Sequence, residues 1–190
     1  MRIGLLGGSF NPAHTGHRLI STIALKRLKL DYIWWLVTPG NPLKENRSLP
    51  SQAMRMIEAQ KCANHPRIKI TGFESQIHTR YTYDTLWYLK QRCKNVKFFW
   101  LMGADNLSQF HHWKNWQIIA NMMPIAVIDR PNSTIRSTHS RAAIYLKKYR
   151  LKETSAQNLA NLKAPAWVFL HGQRSGVSST ALRKRRQELQ

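Results

Sequence analysis

A chain of 190 residues, 43% of them hydrophobic, is long enough for one real core and too short for two independent ones. Its mean hydropathy of -0.45 and the lack of any run near the ~20 apolar residues of a membrane helix argue against a membrane span. Its two cysteines, with no Cys-x-x-Cys and no zinc-finger spacing, argue against a disulfide framework or structural zinc. Thirty Lys and Arg against nine Asp and Glu give a formal +21, a balance that suits a nucleic-acid binder. The basic residues are scattered, however, through Lys26 to Lys29, Lys90 to Lys97, Lys147 to Lys152 and Lys184 to Arg186. Most fall on expected polar helix faces, which favours a general steering field for anionic substrates.

The chain opens on an apolar run, Met1 to Leu6, read as a strand. Then comes Gly7-Gly8-Ser9-Phe10-Asn11-Pro12-Ala13-His14-Thr15-Gly16-His17, and after it a helical segment from Arg18 to Leu30 with apolar residues at Leu19, Ile20, Ile23, Ala24 and Leu28. Strand, glycine-rich turn and helix make an anion site, since glycine lets backbone approach a phosphate and the helix start offers free N–H groups. His14 and His17, three residues apart, fall on one face of that helix start. The Gly-Lys-Ser/Thr ending of a P-loop and the Gly-x-Gly-x-x-Gly dinucleotide pattern are both absent. Because the site lies so near the N-terminus, no signal or transit peptide is expected and the chain is placed in the cytoplasm.

The second strand, Tyr32 to Val37, leads into a loop stiffened by Pro39 and Pro42 that ends on Lys44, a point charge able to meet a phosphate or simply a surface lysine. A helix is expected over Ser51 to Asn64 with Ser51 as its cap. Past a strand at Arg67 to Thr71, Tyr81-Thr82-Tyr83-Asp84-Thr85 opens a helix reaching about Cys93. Its hydroxyls serve as caps, or its N–H groups hold an anion, and the residues leave both readings open. After Val96 to Leu101 stands Gly103-Ala104-Asp105, a glycine and an acid from which a carboxylate can accept ribose hydroxyls. Trp113 and Trp116 follow, three apart on an expected helix, with at least one assigned to the core and one face free to stack on a ring.

A fifth strand is expected at Ile125 to Asp129, then a basic tract with one helix over Ser140 to Leu151, and a last strand at Trp167 to Leu170. Val177-Ser178-Ser179-Thr180-Ala181-Leu182-Arg183 then opens a basic helix. These hydroxyls are helix caps, or with Arg183 an anion cradle facing the histidine loop. Strands alternating with helices predict an α/β fold: a Rossmann-like open parallel sheet with helices on both faces, in a single domain spanning 1–190. Ligands then belong beyond the carboxyl ends of the strands.

The His14-x-x-His17 loop resembles the signature of the nucleotidylyltransferase superfamily. With Asn41-Pro42-Leu43-Lys44, Tyr81 to Thr85, Gly103 to Asp105 and Phe110 to Trp113, the chain resembles bacterial nicotinate mononucleotide adenylyltransferases from residue 1 to about 184. The resemblance implies that His14, His17 and Arg183 are catalytic. It implies ATP contacts from Gly8, Ser9, Phe10, His14, His17, Ser178, Ser179 and Arg183, with Gly103 and Asp105 on the adenosine ribose. Lys44 would meet the mononucleotide phosphate, the Thr85 N–H the pyridine carboxylate, and Trp113 the pyridine ring. Asn11 stands where many members carry Asp and is assigned no catalytic role. The implied reaction is in-line attack of the mononucleotide phosphate on the α-phosphorus of ATP, with pyrophosphate leaving. Mg²⁺ is expected to ride on ATP, since no carboxylate cluster is evident to hold it. Acceptors considered beside nicotinate mononucleotide are nicotinamide mononucleotide and phosphopantetheine. A class I aminoacyl-tRNA synthetase fragment lacks room for a tRNA-binding body, and from a different class stands a basic nucleic-acid-binding protein, against which the scattered charge argues. No specific nucleic acid and no membrane are expected as partners.

Overall fold

The computed structural model describes residues 1–40, 49–131, 133–172, 177 and 179–188. Among them, seven strands form one sheet: β1 (Arg2–Gly8), β2 (Tyr32–Val37), β3 (Ile68–Thr71), β4 (Lys97–Gly103), β5 (Ile125–Ile128), β6 (Arg150–Leu151) and β7 (Trp167–Leu170). The order across the sheet is β3-β2-β1-β4-β5-β7-β6, and every pairing is parallel. The helices are α1 (Thr15–Arg27), α2 (Gln52–Ala63), α3 (Phe73–Gln76), α4 (Thr82–Arg92), α5 (Ala104–Gln109), α6 (Trp116–Met122), α7 (Thr134–Thr138), α8 (Arg141–Tyr145) and α9 (Ser179–Gln187). None is long and apolar enough to cross a membrane.

Strands buried on both sides read as continuous apolar runs, and their period of two divides each between two cores. In β7, Trp167 and Phe169 join one cluster with Leu86, Trp100, Leu107 and Phe110, while Val168 and Leu170 join the other with Ile20, Leu25, Trp35 and Leu159. The expected open parallel sheet covered on both faces is therefore present.

The chain runs outward from β1 through β2 to β3, then returns to the other side of β1 with β4. That reversal makes the crevice outside the carboxyl ends of β1 and β4 the topological switch point, where open parallel sheets take their ligands. The segment after Gly8 and the segment after Gly103 consequently lie side by side.

Three local expectations are corrected. Gly7 and Gly8 are the end of β1 rather than a turn, and among the described residues no glycine has positive φ. The left-handed residue of this loop is Phe10, with φ 47°. Its ring is buried and stacks on Trp35 at 4.9 Å, which fixes an unusual backbone for a bulky side chain. Trp113 and Trp116 share no helix, because Asn115, at φ 56°, breaks the chain between a 3-10 turn at Phe110–His112 and α6. The helix expected over Ser140 to Leu151 is α8, a 3-10 turn at Lys147–Tyr149 and the edge strand β6. Cys62 lies in α2 and Cys93 caps α4, and both are free thiols, half-buried.

Candidate active site

α1 begins at the loop's histidines. His14 is the N-cap and His17 the third helical residue, and their side chains cap reciprocally: His14 Nδ1 accepts the Gly16 N–H at 3.1 Å, while the His14 N–H donates to His17 Nδ1 at 3.3 Å. Gly16 is needed here, since a Cβ would stand 2.9 Å from the His14 ring. The imidazoles lie 3.9 Å apart, and Phe10 packs on His17 at 4.7 Å. Behind them Trp35 Nε1 donates to Ser21 Oγ at 2.7 Å, and Ser21 Oγ donates to the His17 carbonyl at 2.9 Å, so β2 holds the first turns of α1.

A ring nitrogen that accepts a backbone N–H carries no proton. Both histidines therefore present Nε2–H donors while remaining neutral. Burial, the neighbouring Arg130 charge and, for His17, His14 itself act in the same direction. They lower His14 to about 4, with Asp105 opposing, and push His17 well below its ordinary value. The pair is thus a set of two neutral donors at a helix N-terminus rather than two fixed positive charges.

Across the switch point, β4 ends on Gly103 and α5 starts with Asp105 in its first turn. Asp105 Oδ2 pairs with Arg130 Nη1 at 3.1 Å, whereas Oδ1, shielded from solvent, has no hydrogen-bond partner among the described residues. The side chain as a whole is 44% exposed, so the carboxylate remains open to a ligand. Gly103 admits this arrangement: a Cβ there would collide with Asp105 Oδ1 and come within 3.1 Å of Arg130 Cδ. Arg130 follows β5, and its own N–H is held by Asp129 Oδ1 at 2.9 Å, which also accepts from Thr134 Oγ1 at 2.6 Å. Sequence reasoning passed over Arg130. Its place directly after a strand of the same sheet was the available signal.

α9 docks on the histidine loop. Ser179 Oγ donates to the Pro12 carbonyl at 2.9 Å, and Arg183 Nη1 donates to the Asn11 carbonyl at 2.5 Å. Ser179 and Arg183 thus meet the loop that carries His14 and His17. Asn11 enters through its backbone oxygen. Lys44 and Ser178 lie outside the described residues.

Thr85 lies in α4, and Trp113 directly after the 3-10 turn at Phe110–His112. Thr85 is fully buried, its Oγ1 donating to Glu74 Oε1 at 3.0 Å. Its N–H, expected to face a carboxylate, is bonded within α4 to the Tyr81 carbonyl at 3.3 Å. The first-turn N–H groups of Thr82 and Tyr83 are the ones that a helix start leaves without an intrahelical partner. Glu74 is held by burial above the ordinary carboxylate range, against hydrogen bonds from Thr85 and Thr38. Trp113 is half-buried, its ring edge-on to Phe110 at 5.4 Å and Trp100 at 5.9 Å. Among the described residues no group of three or more His, Cys, Asp or Glu could hold a metal ion.

The chain is similar to known proteins over nearly its whole length. The cytidylyltransferase-like family model matches residues 5–185. A protein of Bradyrhizobium sp. (strain ORS 278) named probable nicotinate-nucleotide adenylyltransferase is 56% identical over 183 residues, covering 96% of this chain and 95% of its own. The chain belongs to the nicotinate-nucleotide adenylyltransferase family. A member of the same name from Brucella suis biovar 1 (strain 1330) is 52% identical over 184 residues, 97% of this chain and 95% of its own. Among solved structures, the Plasmodium falciparum nicotinic acid mononucleotide adenylyltransferase complexed with NaAD superposes with a TM-score of 0.71 at 18% identity. That match covers 96% of this chain and 82% of the other, and shows the shared fold.

Proposed function

We propose that this chain transfers the adenylyl group of ATP to nicotinate mononucleotide in the cytoplasm, giving nicotinate adenine dinucleotide and pyrophosphate as a step of NAD biosynthesis. The observation that carries the reaction type is the reciprocal capping of His14 and His17, which leaves two Nε2–H donors at a helix N-terminus beside Gly103, Asp105 and Arg130. The acceptor is read from the names that the family's members bear.

ATP would lie across the switch point. Its phosphates meet the Gly8 to Phe10 backbone, the two imidazoles and the start of α9 with Ser178, Ser179 and Arg183, while the partly exposed Asp105 carboxylate receives a ribose hydroxyl beside Gly103. Neutral Nε2–H groups suit a developing negative charge, since they donate without first being bound to a carboxylate. Lys44, the start of α4 and Trp113 would then hold the mononucleotide's phosphate, carboxylate and ring. With both reactants anionic, the protein's contribution is to align them and to place donors where charge grows between the α- and β-phosphates. The donor-rich, carboxylate-poor cluster fits a magnesium ion carried by the nucleotide. When bound, that ion would neutralise part of the triphosphate charge.

The test is pyrophosphate release with ATP and Mg²⁺ against nicotinate mononucleotide, nicotinamide mononucleotide and phosphopantetheine, with products identified by mass. Adenylylation of nicotinate mononucleotide at the highest kcat/KM is expected. Preference for either other acceptor would keep the ATP site and overturn the acceptor assignment. Absence of pyrophosphate with all three would overturn the reaction.

A further inference from the structure

Arg55, on α2, is 1% exposed, an unusual place for a guanidinium. Its Nε donates to the Pro50 carbonyl at 2.9 Å, Nη1 to the carbonyls of Ser9 at 2.6 Å and Thr38 at 2.8 Å, and Nη2 to that of Pro39 at 3.3 Å. Burial pulls its proton affinity down, and a buried cation is tolerated only when its donors are satisfied. Charge-assisted bonds to four carbonyl oxygens engage four of its five N–H groups, and a planar fork reaches them where a lysine's single nitrogen could not.

The oxygens belong to three separate stretches. Ser9 begins the histidine loop after β1, Thr38 and Pro39 follow β2, and Pro50 leads into α2. β1 and β2 are paired in the sheet, and Thr38 N–H already bonds to the Gly8 carbonyl at 3.0 Å. A trans peptide is planar, with its N–H opposite its C=O. Holding the Ser9 carbonyl therefore turns the Phe10 N–H to the far side, away from Arg55. Holding Pro39 does the same for Gly40.

We infer that Arg55 is a positioning residue for adenylyl transfer, tying the Ser9–Phe10 peptide of the histidine loop to Thr38 and Pro39 after β2 and so fixing the orientation of the backbone that the proposed function sets against the ATP phosphates. This rests on the proposed reaction. A misplacement of about 1 Å in such an alignment costs on the order of 10²-fold in rate. A residue that merely supported the fold would change stability without changing turnover per folded molecule.

The experiment compares wild type with Arg55→Lys as full-length proteins, measuring circular dichroism, thermal midpoint, and kcat and KM for each substrate. The expected result is a native spectrum, kcat reduced ~10- to 100-fold and KM for ATP changed less than ~3-fold, a split that pure destabilisation does not give. Unchanged kcat per folded molecule would overturn the inference, as would a loss confined to KM. Should Arg55→Lys not fold, amide exchange of the wild type decides. Protection around Ser9, Thr38 and the start of α2 lost as one unit supports the tie, and independent opening of either loop overturns it. A wild type that transfers no adenylyl group sinks the proposed function instead, and leaves the tie to the exchange experiment.

Discussion

The Nδ1 atoms of His14 and His17 both face the backbone of their own helix start, one accepting from Gly16 and the other from His14. Each ring is thereby oriented and fixed as the Nε2–H tautomer. The same bonds that cap α1 thus prepare its two donors, so fold and chemistry are coupled in one turn. His17→Ala is expected to lower kcat by ~10²- to 10³-fold, the usual loss when one aligned donor is removed from a developing oxyanion. Steady-state kinetics on protein with an unchanged circular dichroism spectrum would show it, and a loss below ~5-fold would remove His17 from the chemistry.

His14 also gives a pH signature. Its native affinity for a proton is depressed to about 4 from an ordinary 6.5. Between those values the unfolded chain binds a proton that the native chain does not, so stability is full above pH 6.5 and declines as pH falls toward 4. The total effect is on the order of 3 kcal/mol. Asn caps helices well and does not titrate. The thermal midpoint of His14→Asn should therefore fall less than that of wild type between pH 6.5 and 4.5. Parallel declines would contradict a buried neutral His14.

Gly103→Ala tests the second half of the site. The added methyl meets Asp105 Oδ1 and the Arg130 side chain, so the ion pair must shift. The expected outcome is a rise of ~10-fold or more in KM for ATP, about the 1.4 kcal/mol of one ribose hydrogen bond to a carboxylate. A KM equal to wild type would mean that Asp105 does not hold the nucleotide.

Arg183→Ala removes the bond from α9 to the Asn11 carbonyl, and Ser179→Ala removes the one to Pro12. On the proposed function, loss of the guanidinium should reduce kcat by ~10²-fold, because it would remove a cation from the triphosphate as well as the tie. Loss of the hydroxyl should reduce kcat by less than ~5-fold, with stability down by about 1 kcal/mol. Equal kinetic effects would reduce Arg183 to a tether.

Much of this site was legible in the chain because its signals are local. A strand, two histidines three apart and a helix lie within the first 27 residues, and Gly103 with Asp105 directly follows an apolar strand. What escaped depends on groups brought together from afar. Arg130 gains meaning only when β5 sets it beside Asp105, 25 positions earlier, and Arg55 only when α2 folds under Ser9, 46 positions earlier. The loop's glycines misled in the opposite way. Gly7 is small because Trp100 presses on it, where a Cβ would come within 2.7 Å, while the left-handed turn falls to Phe10. Likewise β6 is two residues long and exists by pairing with β7, a tertiary cause that helical periodicity over Ser140 to Leu151 conceals.

On the proposed function, two phosphates aligned at His14 and His17 react directly, with no adenylyl-enzyme between them. Transfer from ATP carrying a chiral thiophosphate at the α-position measures this, since one in-line displacement inverts the phosphorus and two restore it. Inversion in the dinucleotide product is the predicted result. Retention would contradict the claim and require a covalent intermediate on a side chain of this site.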